Sequence, residues 1–466
     1  MDRNDTEKIQ FQRMTETPVS HLICTLATPT ILTMLITTFY NMADTFFVAR
    51  LGTSAAGAVG IVFAMMAFIQ SIAFTLGVGC GSLVSRALGQ RDRDAANAYA
   101  SSAFAMALIV GIALSVFGLL FNGPLMRLLG ATPTILPYAQ DYAKYIFLGT
   151  FIQCAAIVLN KILQAEGKAI FSTFGLGIGG IINIALDPLF IFTFGLGISG
   201  AAIATLISQC ISFVILFYFI YSGRSITRLS LNSVARTPEP YVNILKIGSS
   251  SFCRQGLASA STVALNVSAG NYGDAAVAAM SIVGRMFHFV LSALIGFGQG
   301  FQPVVGYNYG AKQYQRVRDA FRFSVLVGTI FLTGAGIAGY WFAPEIVALF
   351  QVEDPLVVAI GAAAFRAQCI SLPLQSTIVL ANMLFQSTGK AASAVVISST
   401  RQGIYFLPLI IILPHYFQLT GIEFTQAASD LLAFATSLPF LWFFFRDLKL
   451  RTIKVKTAFQ KNIVEA

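Results

Sequence analysis

The sequence has few charged residues and few residues of the types that commonly carry chemistry. Only 11% of its 466 residues are Asp, Glu, Lys or Arg, far below the roughly 25% of soluble domains. Its three histidines are scattered, without the spacing of metal ligands, and none of its six cysteines forms a CxxC pair. The cysteines therefore predict neither a disulfide framework nor a metal site, and we expect no cofactor.

Motifs for nucleotide hydrolysis and for hydrolytic catalysis are also missing. There is no Walker A sequence, no HExxH and no GxSxG. The glycine-rich run Gly77-Val-Gly79-Cys-Gly81 lies at the end of an apolar stretch, without the strand and helix that a phosphate-binding loop requires. We therefore predict that the protein is not an enzyme.

What the chain has in abundance is apolar sequence, with 56% hydrophobic residues, 41 Phe and 39 Gly. An apolar run of about 20 residues spans a bilayer as a helix, and such composition predicts a polytopic membrane protein. Twelve candidate spans can be placed. They are 22–48, 55–85, 95–121, 137–164, 169–193, 200–221, 242–269, 275–305, 320–343, 356–385, 391–414 and 424–445.

The net charge of +10 is distributed unevenly along the chain. Lys and Arg concentrate in the loops after spans 2, 4, 6, 8 and 10 and in the C-terminal tail. This alternation is an orientation signal, and it predicts that both termini are cytoplasmic. We expect the bilayer, and no nucleic acid, to be the partner of these charges, and we expect a monomer.

An internal repeat divides the spans into two sets of six. Gly77, Gly79 and Gly89 match Gly298, Gly300 and Gly310, and Asn160, Gln164 and Gly167 match Asn382, Gln386 and Gly389. Since six is an even number, both copies enter the membrane from the same side, as parallel repeats do. The predicted organisation is an N-terminal lobe over 1–221, a cytoplasmic linker over 222–246, a C-terminal lobe over 247–446 and a basic tail over 447–466.

Asp187 is the most informative residue, because it lies inside an apolar span where an ionisable group costs at least ~2.5 kcal/mol. Asn183, four residues earlier, shares its helical face, and Pro188 allows the helix to bend beside the acid. Asp44 is a second acid within an apolar run. Two nearby carboxylates in a low-dielectric site cannot both ionise at low cost, which predicts a proton site or, with added oxygens, a Na⁺ site. Two separate structural acids are the alternative.

Several other residues are candidates for a substrate cavity. Methionine and aromatic surfaces adapt to varied ligands, although each such residue is more often plain packing. Arg254 and Arg285, within predicted spans, either line a cavity and bind anionic groups or serve a structural role. The cavity candidates are Met34, Asn41, Met65, Arg254, Gln255 and Met286.

The two six-span halves, the repeated loops, Asn41-Met-Ala-Asp44-Thr45 and Asn183-Ile-Ala-Leu-Asp187-Pro188 together resemble the MATE (multidrug and toxic compound extrusion) family, and its bacterial MepA-type branch in particular. The resemblance implies an all-α membrane protein whose twelve helices form two lobes in a V shape. It also implies an ion site at Asp44, Asn183, Asp187 and Thr205. The NorM-like branch has acidic ligands on helices 7 and 10. This chain has Arg254 and Gln255 on helix 7, so a second-lobe Na⁺ site is not expected.

The expected function is a secondary antiporter that exports small amphipathic cationic drugs or dyes in exchange for H⁺ and so confers antibiotic resistance. A Na⁺-coupled drug antiporter is the first alternative. A lipid-linked saccharide flippase of the same superfamily is the second.

Overall fold

The computed structural model describes residues 3–350 and 354–464, and this part of the chain consists of helices joined by short loops. The helix Arg3–Glu16 comes first, and the long helices that follow are called spans 1 to 12. Spans 1 to 6 are Val19–Ala49, Thr53–Gly89, Arg93–Leu120, Leu136–Ala165, Ala169–Pro188 with the π-helix Leu189–Thr193, and Gly197–Phe219 with the π-helix Ile220–Arg224. Spans 7 to 10 are Glu239–Gly270, Asp274–Gly310, Tyr314–Trp341 and Pro355–Ser387. Span 11 begins as Ala391–Ser399, continues as the π-helix Thr400–Tyr405 and runs to 417, and span 12 covers 419–464.

Length and hydropathy identify ten apolar stretches able to cross a membrane among the described residues. One of them, Ala391–Ile453, contains two helices, because Gln418 has φ 52° and ψ −134° and breaks it. Span 7 is missing from the ten. It carries the polar residues Ser251, Arg254 and Gln255, which face a cavity described below. The chain is therefore a multi-pass membrane protein, and its helices agree with the twelve predicted spans.

The predicted repeat is visible in the backbone. Positive φ angles occur at equivalent loop positions in the two halves, where the chain reverses between consecutive spans. The pairs are Gly52 and Gly273 (114° and 98°), Arg91 and Lys312 (61° and 59°), and Gly167 and Gly389 (74° and 75°). Side chains other than glycine rarely adopt this conformation, so its recurrence at Arg91 and Lys312 marks one loop design used twice.

The repeated Asn and Gln residues make equivalent hydrogen bonds in both halves. In the first, Asn160 Nδ2 donates to the carbonyl of Ser172 in span 5 (3.1 Å), and Gln164 Nε2 donates to Asn160 Oδ1 (3.0 Å). In the second, Asn382 Nδ2 donates to a backbone carbonyl of span 11 (2.8 Å), and Gln386 Nε2 donates to Asn382 Oδ1 (2.9 Å). The repeated motif therefore ties span 4 to span 5 and span 10 to span 11.

The two halves meet where span 8 passes span 1 and where span 2 passes span 7. Gly300 lies directly against the backbone of Ala27, and Gly79 directly against the backbone of Ile244. The hydroxyl of Thr30 also donates to the carbonyl of Gly296 across this interface (2.7 Å). The glycines that first revealed the repeat are thus the residues that let the halves approach closely.

The segment between the halves is anchored by a buried carboxylate. Glu166 is 0% exposed and accepts hydrogen bonds from Ser225 Oγ (2.6 Å), the backbone N–H groups of Ile226 and Thr227 (both 2.9 Å) and Thr227 Oγ1 (2.6 Å). Lys168 adds an ion pair at 3.8 Å. Helical structure resumes at Glu239, earlier than the predicted linker end at 246, because span 7 extends beyond its apolar stretch.

Candidate functional site

One face of span 5 leads to the predicted coupling residues. Gly175, Gly179, Asn183 and Asp187 follow one another at intervals of four and so lie on one side of the helix. A Cβ at Gly179 would lie 2.9 Å from the carbonyl oxygen of Ser208 in span 6. The glycines therefore bring span 6 close to span 5, one turn before the polar pair begins.

This approach assembles three of the four predicted site residues. Asn183 and Asp187 are 2% and 0% exposed, and Thr205 of span 6 is 9% exposed. The amide nitrogen Asn183 Nδ2 lies 3.3 Å from Asp187 Oδ1 and 3.4 Å from Thr205 Oγ1. One amide thus joins the carboxylate of span 5 to the hydroxyl of span 6.

Asp44, the fourth predicted residue, approaches from span 1 and is held by a different partner. The phenol of Tyr142, fully buried in span 4, donates to Asp44 Oδ2 at 3.4 Å. Asp44 and Asp187 share no hydrogen bond, but their charges interact electrostatically. The phenol of Tyr40 interacts electrostatically with both carboxylates. Neither acid has an ion pair with a described Lys or Arg.

Several oxygens at this site have no hydrogen-bond partner. Asp44 Oδ1, Asp187 Oδ2, Asn183 Oδ1 and Ser208 Oγ are buried and unpaired among the described residues. Leaving a buried acceptor unsatisfied is costly, and an added proton or a small cation would remove that cost. The set of unpaired oxygens is suited to binding a positive charge.

The helix type changes at Pro188, where a bend was predicted. The α-helix ends at Pro188, and the chain continues as the π-helix Leu189–Thr193. Short π segments inside α-helices frequently occur at functional sites. Span 11 contains a π-helix as well, over Thr400–Tyr405, so both halves carry this irregularity.

A cavity of about 410 Å³ lies in the second half, where it faces spans 2 and 4. Of the six predicted cavity residues, Arg254 and Gln255 line it. Met34 accepts a 3.5 Å hydrogen bond from Gln299, and Asn41 donates to the carbonyl of Thr37 in its own helix (2.9 Å). The other two, Met65 and Met286, pack against the hydrophobic cores.

A partly buried ion pair that sequence reasoning missed lies beside this cavity. Arg401 Nε lies 2.8 Å from Asp430 Oδ1, and Asp430 also accepts from Gln426 Nε2 (2.8 Å) and Ser371 Oγ (3.0 Å). Asp430 is 0% exposed, although it lies near the predicted start of span 12 at 424. The second half therefore contains a buried carboxylate, but one paired with Arg401.

Comparison with known proteins agrees with this architecture. The MatE family model matches residues 29–189 and 251–412, which is more than half of the chain and falls in both halves. The chain is 29% identical to the multidrug export protein MepA of Staphylococcus haemolyticus over 401 residues, covering 84% of this chain and 87% of that protein. It is 26% identical to a protein of Shewanella oneidensis named FAD transporter over 396 residues, with coverage of 84% and 87%.

Solved structures show the same likeness in three dimensions. The outward-facing conformation of a multidrug resistance MATE family transporter of the MOP superfamily superimposes with a TM-score of 0.89 at 26% identity. The superposition covers 95% of this chain and 98% of that one. With the family model matched in both halves, the chain belongs to the MatE family.

Proposed function

We propose that this protein is a secondary active efflux transporter that exports amphipathic organic cations in exchange for protons, with Asp44 and Asp187 as the coupling site. MatE members are transporters and not enzymes. The name of the Staphylococcus haemolyticus relative supports multidrug export. The basic loops support a cytoplasmic location of both termini in a bacterial inner membrane.

The observation that carries the proton proposal is the pair of acids in the first lobe. Each has one buried oxygen without a hydrogen-bond partner, and no described base neutralises either. Two carboxylates whose charges repel each other in a low-dielectric region are costly to ionise together. The pair therefore favours a state that holds at least one proton. Such a pair can exchange a proton for the positive charge of a drug.

In the proposed cycle, drug and proton compete for the same negative charge. The ionised pair stabilises a cationic drug in the first lobe. Protons entering from outside then neutralise the pair, which removes that stabilisation and favours release. A ligand shifts a conformational equilibrium only through its different affinity for the two states, and the charge of Asp187 supplies that difference here.

The test uses purified protein reconstituted in vesicles, with ethidium movement recorded under a pH gradient without Na⁺ and under a Na⁺ gradient at fixed pH. Proton coupling predicts movement driven by the first gradient and none driven by the second. Movement under the Na⁺ gradient alone would overturn proton coupling. Movement under neither would overturn the proposed export of cations.

Coupling to Na⁺ is the second candidate, and the unpaired oxygens favour it. Hard cations prefer oxygen ligands, and Asp44 Oδ1, Asp187 Oδ2, Asn183 Oδ1 and Ser208 Oγ are such atoms. Dependence of transport on Na⁺ in the same vesicles separates the two candidates.

A further inference from the structure

The 410 Å³ cavity of the second half has the size of a small-molecule site, within the usual range of about 300–1,000 Å³. Spans 7, 8, 10 and 11 supply most of its wall, and Phe74 and Lys161 come from the first half. The cavity does not include Asp44 or Asp187 among the described residues that line it. Its chemistry is therefore separate from that of the coupling site.

The charged residues that line the cavity are all basic. They are Lys161, Arg254 and Arg401, with His288 beside them, and no described Asp or Glu belongs to the lining. Arg401 is neutralised by its ion pair with Asp430 (2.8 Å). Lys161 and Arg254 have no carboxylate partner among the described residues.

These two uncompensated charges line the same cavity, to which Arg401 adds a third basic group. Lys161 is 6% exposed, and its hydrogen-bond partner among the described residues is the uncharged Gln164 Oε1 at 2.8 Å. Charges in a membrane interior usually pair with one another, so two unpaired positive charges at one cavity indicate a site for a negative charge.

Uncharged groups of the lining extend the same chemistry. Gln255 Nε2 is a buried donor without a hydrogen-bond partner among the described residues, and it neighbours Arg254 in sequence. The rings of Phe74 and Phe287 lie 5.6 Å from Lys161 Nζ and 5.2 Å from Arg401 Cζ. Apolar and aromatic surface thus adjoins the basic groups, as an amphipathic ligand requires.

We propose that this cavity binds an amphipathic organic anion, with its carboxylate or phosphate at Arg254 and Lys161 and its apolar part against Phe287. Guanidinium groups bind such anions through paired hydrogen bonds, and Gln255 adds a donor. An organic cation is repelled by the same two charges. The proposal goes beyond the proposed function and does not use the first-lobe acids.

The repeat provides a natural substitution for the test. Lys161 aligns with Met383 of the second half, so Lys161→Met removes the charge with a side chain that the fold accommodates at the equivalent place. Arg254→Gln removes the second charge, and Arg254→Lys keeps it. The matched control is Arg285→Gln in span 8, because Arg285 is exposed and does not line the cavity.

Binding is measured in detergent by fluorescence anisotropy with two matched probe pairs, flavin mononucleotide against riboflavin and fluorescein against rhodamine 123. Each pair shares a ring system and differs in charge. We expect the anionic member to bind at least tenfold more tightly. Arg254→Gln and Lys161→Met should each reduce that preference at least tenfold, whereas Arg254→Lys should retain most of it and Arg285→Gln all of it.

Farnesyl diphosphate is included as a competitor, because a lipid diphosphate presents the same anionic chemistry as a soluble anion. Displacement of bound fluorescein by farnesyl diphosphate but not by unlabelled flavin mononucleotide assigns the site to a lipid anion. The reverse result assigns it to a soluble anion. Equal binding of the anionic probe and its matched non-anionic probe overturns the proposal. So does an unchanged preference for the anionic probe in Arg254→Gln. No gradient is present, so the result is independent of whether Asp187 couples transport.

Discussion

Replacing Gly300 with alanine tests how the two halves are held together. A Cβ at Gly300 would lie 2.5 Å from the backbone nitrogen of Ala27 and 2.6 Å from its Cα. Non-bonded carbon atoms pack best at about 3.5–4.0 Å, so span 1 and span 8 must separate by about 1 Å. Both contacting atoms belong to the backbone, and therefore no change of rotamer relieves the overlap.

Two opposing effects set the magnitude. Overpacking a close interface costs about 1–3 kcal/mol, whereas alanine in a helix interior is favoured over glycine by up to ~1 kcal/mol. The net expectation for Gly300→Ala is a loss of about 1 kcal/mol. A loss of that size lowers the ratio of folded to unfolded protein by roughly fivefold.

The assay is thermal unfolding in detergent, followed by the midpoint Tm, beside Gly256→Ala as control. Gly256 lies in the interior of span 7 with nothing within 4 Å of an added Cβ. We expect Gly300→Ala to lower Tm, and Gly256→Ala to leave it unchanged or raise it. If both variants shift Tm equally and in the same direction, the close approach of span 1 to span 8 does not stabilise the fold.

Three further predictions concern buried polar groups. Glu166→Gln should speed tryptic cleavage of the linker at least severalfold. The linker donates four hydrogen bonds to the Glu166 carboxylate, and the substitution removes that carboxylate. Asp430→Asn should lower stability by about 1.5–3 kcal/mol, measured as a fall in Tm, since it leaves the partly buried Arg401 without its partner. Tyr142→Phe should change proton-driven efflux only a few fold, because its 3.4 Å bond to Asp44 is long.

The first two predictions have controls, and each of the three has a result that would contradict it. Glu239→Gln alters an exposed acid next to the linker and should leave cleavage unchanged, and equal cleavage of both variants would remove the anchoring role of Glu166. The double variant Arg401→Gln with Asp430→Asn should recover part of the Tm lost in the single variant. If it does not, the pair is not what stabilises span 12. Efflux abolished by Tyr142→Phe would make that phenol a member of the coupling site.

The features that could be predicted from the sequence are those set by spacing within one helix. Asn183 and Asp187 share a face because they are four residues apart, and the repeat appears because glycines and amides recur at one offset. In the structure, two of these glycines, Gly79 and Gly300, lie at the contact between the halves.

The features that sequence reasoning missed depend on how helices rotate and pack. Tyr142 is one of 15 tyrosines, and only the tertiary arrangement of the helices brings it from span 4 to Asp44 in span 1. Asp430 lies near a predicted helix end, but span 12 is long and buries it beside Arg401. Glu166 lies in a short loop and is buried because the linker folds over it.

Asp187→Asn tests whether the first-lobe acids couple transport to the proton gradient. Ethidium movement driven by a pH gradient is measured in vesicles containing this variant, the wild type or Asp141→Asn, which alters an exposed acid of the same lobe. We expect ethidium to move at the wild-type rate with Asp141→Asn. With Asp187→Asn, we expect the rate to fall at least tenfold at an equal amount of folded protein. Wild-type movement by Asp187→Asn would contradict coupling by these acids.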